Sequence, residues 1–532
     1  MIKNILLFLC CISGVVQSYA VSVISYGADP TGATDSTAAI QTAVNAADDI
    51  YFPAGTYLCN TVNLDNGSFL HGDGAKSIIK YNTMTPFVAN TPSAGVYIEN
   101  ITIRDLQLFG QVELQGFAEQ NHLMKFNGIK NLFIENCLIR GFQGDGIYLG
   151  GKNNSSVECH NKNVRIVNCT FDGINNDNRN GISIIDGDDI MISKCSFYNC
   201  TRSNMPGCID IEPNDSFAVI KNIAVSGCVF ENCNGNVGNI SLLINHAFTT
   251  PPTGFIFTNN LFKSNIGVAV ISYAGNETHN HNIVISGNVG YGMTRPFSIT
   301  PDSTSVLRGI TISNNTFYHS MSALLGYDAA GQVQDVSVIG NVFRASGSTS
   351  GLVFRSGSKI VLSNNIFDGH SGYGIIFGMS GSTISSVSVT CNVFSNMVNY
   401  AVQTGATTTN PETNIFYNNQ LNGASHNFQA FRTDDNSTIW NGSTAITFNT
   451  STLPDTFPMG ISTATLNGDT GVPAGIGSTQ GILTTYRLST IPKATYQTFH
   501  HASNTLKLGN FWLRRRDQTT NTWTRWYEIV GI

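Results

Sequence analysis

Three short segments carry side chains able to do chemistry: Gly144-Asp145-Gly146-Ile147-Tyr148-Leu149, Arg179-Asn180-Gly181-Ile182-Ser183-Ile184 and Pro206-Gly207-Cys208-Ile209-Asp210-Ile211-Glu212-Pro213. Strand side chains alternate, so Asp210 and Glu212 share one face, their Cα atoms about 6.6 Å apart, while Ile209 and Ile211 share the other. Glycoside hydrolysis needs such a pair: one carboxylic acid protonates the leaving oxygen and a second carboxylate activates water or attacks. Eliminative cleavage needs instead a base that removes the proton beside a uronate carboxylate. Arg179 or Tyr148 would then neutralise or abstract.

If Ile147, Ile182 and Ile209 all point inward, then Tyr148, Ser183 and Asp210 form one outward column. Asp145 then lies at the turn before its strand, about 10 Å and two rungs from Asp210, with Arg179 on the coil between. The expected catalytic set is Asp210 and Glu212, with Asp145 as a third carboxylate and Arg179 beside it; Tyr148, Ser183 and Asn245 are the expected substrate contacts. A purely architectural reading competes, in which Arg179 bridges the carboxylates of neighbouring coils. Asp186, Asp188 and Asp189 read as a turn, and His246, His279 and His281 as loop residues. No metal ligand set and no cofactor is expected, except calcium if the chemistry is that of a lyase.

The elements that must hold these groups are visible as a repeat. An apolar-x-apolar-x-x-(Cys/Asn)-x-(Phe/apolar) pattern recurs, as in Leu132/Ile134/Cys137/Ile139, Val164/Ile166/Cys169/Phe171, Ile310/Ile312/Asn315/Phe317 and Ile360/Leu362/Asn365/Phe367. Its pivots are Leu106, Cys137, Cys169, Cys195, Cys228, Asn260, Asn288, Asn315, Asn341, Asn365, Asn392 and Asn419, spaced 24 to 33 residues apart. Alternating strands at a period too short for a domain imply stacked coils, an all-β parallel solenoid. An inward Asn can bond its amide to the next, about 4.8 Å along the stack. An unbonded amide there would be costly, so the ladder must be continuous.

Twelve cysteines less Cys10 and Cys11 leave ten beyond the N-terminal segment. In an exported protein they would ordinarily read as disulfides, but parallel side chains on adjacent rungs do not reach the bridge dihedral, which favours buried thiols. Cys195/Cys200 and Cys228/Cys233 form two C-x4-C pairs that could converge on zinc; because the pairs are coil repeats of each other, packing explains them without a metal.

The charged fraction is 12%, about half the usual share, and the net charge is -6. No long Lys/Arg run occurs in the first 500 residues, which argues against a nucleic-acid partner. Lys3, the apolar run Ile5 to Val16 and Ser18-Tyr19-Ala20 read as a signal peptide over residues 1–20, cleaved after Ala20. A short virion-anchoring or membrane-interacting segment fits length and flanks less well. No later segment is apolar enough to span a bilayer, so membrane insertion is not expected.

A solenoid must cover its first coil. After Tyr26-Gly27-Ala28-Asp29-Pro30-Thr31-Gly32, the stretch Asp35 to Ala47 predicts an N-capped amphipathic helix with Ile40, Ala43, Val44 and Ala47 on one face, followed by Ile50-Tyr51-Phe52-Pro53-Ala54-Gly55-Thr56-Tyr57. Residues 26–57 resemble the N-terminal signature of the pectate-lyase-like superfamily of right-handed β-helices, and the coils to about residue 425 fit that family. The resemblance implies a right-handed parallel β-helix over 21–430 with an N-terminal capping helix. The Gly144, Arg179 and Pro206 segments resemble the GDGI, R-x-G-I-S-I and G-x-D-I-E-P segments of its polysaccharide-degrading members, except that Cys208 stands where an apolar residue or Gly is more usual.

Beyond Asn427 the Asn pivots stop, a linker is expected near 431–458, and 459–532 read as a small β domain. Its strand candidates are Thr484-Tyr486-Leu488, Thr495-Gln497-Phe499, Phe511-Leu513 and Trp523-Trp526-Ile529. Leu466-Asn467, Gly481-Ile482-Leu483, Tyr496-Gln497-Thr498, Phe511 to Arg515 and Trp523-x-x-Trp526-x-x-Ile529 resemble the knob domain of phage tail fibres and pyocins, which implies homotrimers and receptor attachment. Arg514, Arg516 and Arg525 could then engage an acidic glycan, although a solvated basic strand face accounts for them equally simply. The expected partner is an extended polysaccharide, gripped along the groove of one solenoid face. Three functions fit: a tailspike-like depolymerase of bacterial capsule, O-antigen or exopolysaccharide, a non-catalytic glycan-binding adhesin, and a uronan epimerase. The leader segment points to a secreted protein, the knob resemblance to a virion tail fibre.

Overall fold

The structure is a computed structural model. It describes residues 20–422 except 92–95, 154–156, 175–176, 246, 248–250, 274–278, 327–331, 348, 379–383 and 405–414. Beyond 422 it describes strands at 432–433, 437–439, 460–466, 481–487, 495–501, 511–515 and 527–529. The expected signal peptide therefore lies outside the described residues, apart from Ala20.

The solenoid has three parallel sheets. Strands before the pivot, such as Ile129–Glu135, Lys162–Val167 and Gly187–Ser193, stack in one sheet. Strands after it, such as Leu138–Arg140, Thr170–Asp172 and Ser196–Tyr198, belong to a 14-stranded sheet. A third sheet of 13 strands, here the groove sheet, contains Met124–Asn127, Ile147–Gly150, Ile182–Ile184, Ile209–Ile211 and Ile240–Asn245. Register is set by the apolar alternation, since a slip of one residue would expose every core side chain. Leu132, Val164, Ile190, Ile223 and Phe255 accordingly stand rung on rung, all buried. Phe171, Phe197, Phe230 and Phe262 stack with centroids 4.7, 4.9 and 5.1 Å apart. Such rings supply much of the buried apolar area, and truncating one to Ala costs about 3–5 kcal/mol.

The Asn ladder is continuous. The Asn260 Nδ2 donates to Asn288 Oδ1 at 3.0 Å, and Asn288, Asn315, Asn341, Asn365 and Asn392 each repeat the bond at 2.9 Å, the last to Asn419. Each Nδ2 also donates to a strand carbonyl, Asn315 to that of Ile285 at 2.9 Å. The pivot thiols of Cys137, Cys169, Cys195 and Cys228 are buried and turn to carbonyls of their own and the preceding coil.

A second signal lies one residue earlier. Asn136, Asn168, Gly227, Asn259, Gly287, Asn314, Gly340 and Asn364 all have φ between 53 and 69°, the left-handed region that Gly and Asn enter at least cost. It turns the chain so that the pivot points inward.

The capping helix spans Thr37–Ala46, with Ile40, Ala43 and Val44 buried. It departs from expectation at both ends. Ser36 makes no side-chain cap; its hydroxyl is engaged by the Asp29 N–H at 2.9 Å, and Ala47 is an extended C-cap. Two short strands, Arg432–Thr433 and Ser437–Ile439, fall within the stretch expected to be linker. Strands Gly460–Leu466, Gly481–Arg487, Thr495–His501, Phe511–Arg515 and Tyr527–Ile529 then pair antiparallel in sequence order. Arg514 is in the fourth of these; Arg516, Arg525, Trp523 and Trp526 lie outside the described residues. No helix among the described residues is long and apolar enough to cross a membrane.

Candidate functional site

The groove sheet aligns the expected residues as their spacing requires. Lys125, Tyr148, Ser183, Asp210 and Ser241 are direct rung partners, and the isoleucines between them fill the core. Asp145 and Arg179 precede their strands and meet across the coil boundary, Arg179 Nη1 lying 2.6 Å from Asp145 Oδ1. The same guanidinium reaches Ser183 Oγ at 3.3 Å and Glu119 Oε1 at 3.4 Å. Asn180 Nδ2 donates to Ser183 Oγ at 2.9 Å and to Asp210 Oδ2 at 3.2 Å, which joins the Asp145 end of the network to Asp210.

An open groove bearing two exposed carboxylates was expected; the structure differs. Asp145, Ser183 and Asp210 are enclosed, Asp210 at 1% exposure, while Tyr148, Arg179 and Glu212 are half-buried and form the outer surface. Enclosure has an electrostatic consequence. Burial first, and then the Glu212 carboxylate within hydrogen-bonding reach, push the Asp210 pKa well above the usual carboxylate range, opposed only in part by Arg179. The enclosed carboxyl of Asp210 is thereby biased toward its protonated form. Burial opposes the charge of Arg179, but Asp145, and then Asp210 and Glu119, more than offset it and raise its pKa. The bridging role of Arg179 is thus real, and it coexists with the acid pair.

Two groups that spacing did not reveal complete this end. His122, buried, accepts the Asp145 N–H at Nδ1 (3.1 Å) and stacks on Tyr148 with centroids 4.8 Å apart; Lys125 Nζ sits 5.1 Å from the Tyr148 centroid. His122 Nε2, Asp145 Oδ2 and Asn180 Oδ1 are buried with no hydrogen-bond partner among the described residues. Such atoms each cost about 1–3 kcal/mol when left unpaired. Asn180 was legible, being next to Arg179. His122 was not, because it arrives on the irregular segment between Val112–Gln115 and Met124.

Asp186 corrects the expectation of a simple aspartate turn. It is buried, accepts from His160 Nδ1 (2.7 Å), Asn161 N (3.1 Å) and Val219 N (2.9 Å), and with its hydrogen bond raises the His160 pKa. Asp188 lies in the strand Gly187–Ser193, and Asp189 has a φ of 61°. Gly151 must be Gly here, since a Cβ would stand 2.7 Å from the Phe217 ring and 3.0 Å from the Asp186 carboxyl. His281 is likewise buried, its Nδ1 accepting the Arg308 N–H at 3.1 Å, rather than decorating a loop; His279 is exposed and His246 lies outside the described residues. Asn245 stands beyond the acid pair, donating to the Tyr273 hydroxyl at 3.2 Å.

Comparison with known proteins places this architecture. Residues 20–235 match the family model described as rhamnogalacturonase A/epimerase, pectate lyase-like, and residues 438–528 match the third domain of the phage-like element PBSX protein XkdV. No curated protein matches the sequence. Among solved structures, the chain is similar to the pre-mature gene product 12 of bacteriophage phi29 (16% identity, TM-score 0.49, covering 79% of this chain and 52% of that one). It thus spans about half the length of that protein. It is also similar to the Streptococcus pneumoniae surface protein and adhesin PfbA (17%, 0.44, 73% and 100%) and to tailspike protein 3 of bacteriophage CBA120 (12%, 0.41, 81% and 62%). The solenoid is a pectate-lyase-like right-handed parallel β-helix.

Proposed function

We propose that the protein is a tailspike-like polysaccharide depolymerase that hydrolyses a bacterial surface or extracellular glycan on its groove sheet, using Glu212 and Asp210. The observation that carries this reading is the placement of enclosed Asp210, at 1% exposure, beside half-buried Glu212 on the groove sheet, where burial and the Glu212 carboxylate raise the Asp210 pKa. A carboxyl with a raised pKa can serve as the acid and its neighbour as the base that hydrolysis needs. Half-buried Glu212 meets the glycosidic oxygen, and Asp210 beneath it supplies the proton. One proton leaves with the departing hydroxyl, and one returns from the water that attacks the anomeric carbon. Arg179, bound to Asp145 and Glu119, fixes the coil edge and leaves little free positive charge for a uronate, which favours hydrolysis over elimination. Tyr148, stacked on His122, offers an aromatic face to a sugar ring. The match of residues 20–235 to a glycan-active family model supports the substrate class.

A second reading, elimination, is favoured by Lys125 over the Tyr148 ring, a cation beside a phenol base. The test is incubation with capsule, O-antigen and exopolysaccharide panels, with chain length and reducing ends followed. Shortening with new reducing ends, reduced about 10²–10⁴-fold in Glu212→Gln, is expected. An unsaturated uronate chromophore would replace hydrolysis by elimination. Binding without shortening, unchanged in Asp210→Asn and Glu212→Gln, would make the protein an adhesin, and a changed sugar configuration at constant length an epimerase. On this reading the chain acts outside the cell, secreted or on a virion tail, as a homotrimer if the C-terminal region is a knob; no calcium is required.

A further inference from the structure

The pivot thiols lie in file, each turned to backbone carbonyls. Cys200 and Cys233 also reach strand carbonyls, Cys200 that of Tyr198 at 3.6 Å and Cys233 those of Phe197 and Glu231 at 3.5 Å, but together with Cys208 they form a triangle. The Sγ atoms of Cys200, Cys208 and Cys233 lie within 4.8 Å of one another, in a corner between the post-pivot sheet and the groove sheet. Cys200 follows the strand Ser196–Tyr198, Cys233 follows Val229–Glu231 one coil on, and Cys208 immediately precedes Ile209–Ile211. The alternative in which Cys195/Cys200 and Cys228/Cys233 converge is not what the structure builds, because Cys195 and Cys228 remain in the ladder, as the packing reading expects.

The repeat accounts for Cys200 and Cys233, which stand at equivalent places one coil apart, but not for Cys208. The residues preceding the rung partners Ile147, Ile182, Ile209 and Ile240 are Gly146, Gly181, Cys208 and Asn239, so a thiol at 208 answers to no positional rule of the coil. Hydrogen bonding to strand carbonyls accounts for Cys200 and Cys233 but not for Cys208. The best oxygen acceptor for Cys208 is Asn239 Oδ1 at 3.9 Å, a weak contact. Asn239 is itself buried and fixed by Nδ2 donating to Ser264 O at 2.9 Å, which holds its carbonyl oxygen beside the Cys208 sulfur. Ligand atoms around tetrahedral zinc, with Zn–S near 2.3 Å and Zn–O near 2.1 Å, stand about 3.6–3.8 Å apart. The three sulfurs, within 4.8 Å of one another, and the Asn239 oxygen, 3.9 Å from Cys208 Sγ, need only side-chain adjustment to approach that spacing.

We infer that Cys200, Cys208 and Cys233 bind one zinc(II) ion, with Asn239 Oδ1 placed as the fourth donor. Binding converts the three thiols to thiolates and releases their protons to solvent. All three sulfurs are sealed from solvent, so the ion enters as the coils close and is retained afterwards. Its position, one residue before Ile209, pins the strand that carries Asp210 and Glu212. The ion is architectural and takes no part in the glycan chemistry, so this inference stands or falls apart from the proposed activity.

The test uses the full chain produced in zinc-supplemented medium, purified without reducing agent, with bound metal counted by plasma mass spectrometry and cobalt substitution read as sulfur-to-metal charge-transfer absorption. One equivalent of zinc is expected in the unmodified chain and in the ladder control Cys195→Ser. None is expected in Cys208→Ser or Cys233→Ser, with circular dichroism used to check that the coils persist. If those variants do not fold, the unmodified chain decides alone. A folded, unmodified chain without zinc, equal zinc in Cys208→Ser, or an intact mass two hydrogens light with a disulfide among the three cysteines would each overturn the inference.

Discussion

The coils pivoted on cysteine and those pivoted on asparagine share one cross-section but bury polar groups in opposite places. In the Asn coils the polar burial is internal, one amide per rung, each bonded to the next and to a carbonyl. Their groove column is short or apolar: Ala269, Ser298, Leu324, Val353 and Ile376. In the Cys coils the interior is a file of thiols, and polar burial moves to the groove sheet, where Asp145, Asn180, Ser183 and Asp210 are enclosed. The contrast teaches that repeated amides carry the buried polarity of one region and a charge-paired network that of the other, while each also encloses a few polar atoms with no partner among the described residues, His319 Nε2 and His370 Nδ1 in the Asn coils, His122 Nε2 and Asn180 Oδ1 in the Cys coils.

The largest effect is expected where a buried charge loses its partner. Arg179→Met leaves Asp145 enclosed beside His122 alone and should cost about 3–5 kcal/mol in urea unfolding, with most of it restored in the Asp145→Asn/Arg179→Met double variant. If the double variant is no better than the single, the network is not held by charge pairing. Next, Asn315→Leu breaks the ladder bonds to Asn341 and Ile285 and those accepted from Asn288, and should cost about 3 kcal/mol. Cys169→Ala, at the equivalent place in the other region, should cost about 1 kcal/mol. Equal losses would show that the two ladders do not differ.

The two regions should also respond oppositely to pH. His319 and His370 are buried and held neutral, burial lowering their pKa values to about 3 and about 4 from 6.5. Below pH 6.5 the unfolded chain binds more protons, so the Asn coils lose stability as pH falls, by about 2 kcal/mol per histidine at pH 5. Asp210 has a raised pKa, so above the ordinary value of 3.8 the folded chain binds more protons and the Cys coils lose stability as pH rises. Hydrogen exchange of the two regions at pH 5 and pH 8 would resolve these trends. Asp210→Asn should abolish the second and, as the smallest effect, stabilise the Cys coils at pH 8. Unchanged exchange in that variant would mean that Asp210 is ionised in the fold.

By itself the sequence determined everything that repeats. A period of one coil, an inward pivot and strict strand alternation suffice to place Tyr148, Ser183 and Asp210 in one column and Glu212 beside Asp210, because stacking admits a single register once the apolar face is buried. The left-handed residue before each pivot was not read from the sequence; it is Asn or Gly in most coils but Asp105, Lys194 and Cys391 in others. Only the tertiary structure decided what does not repeat. His122 meeting Asp145, the burial of Asp186 against His160, the enclosure of Asp210 and the convergence of Cys208 with Cys200 and Cys233 all depend on connections of unequal length between strands. A periodic pattern says which way a strand residue points, but not where an irregular corner carries its side chains or how much water that corner excludes.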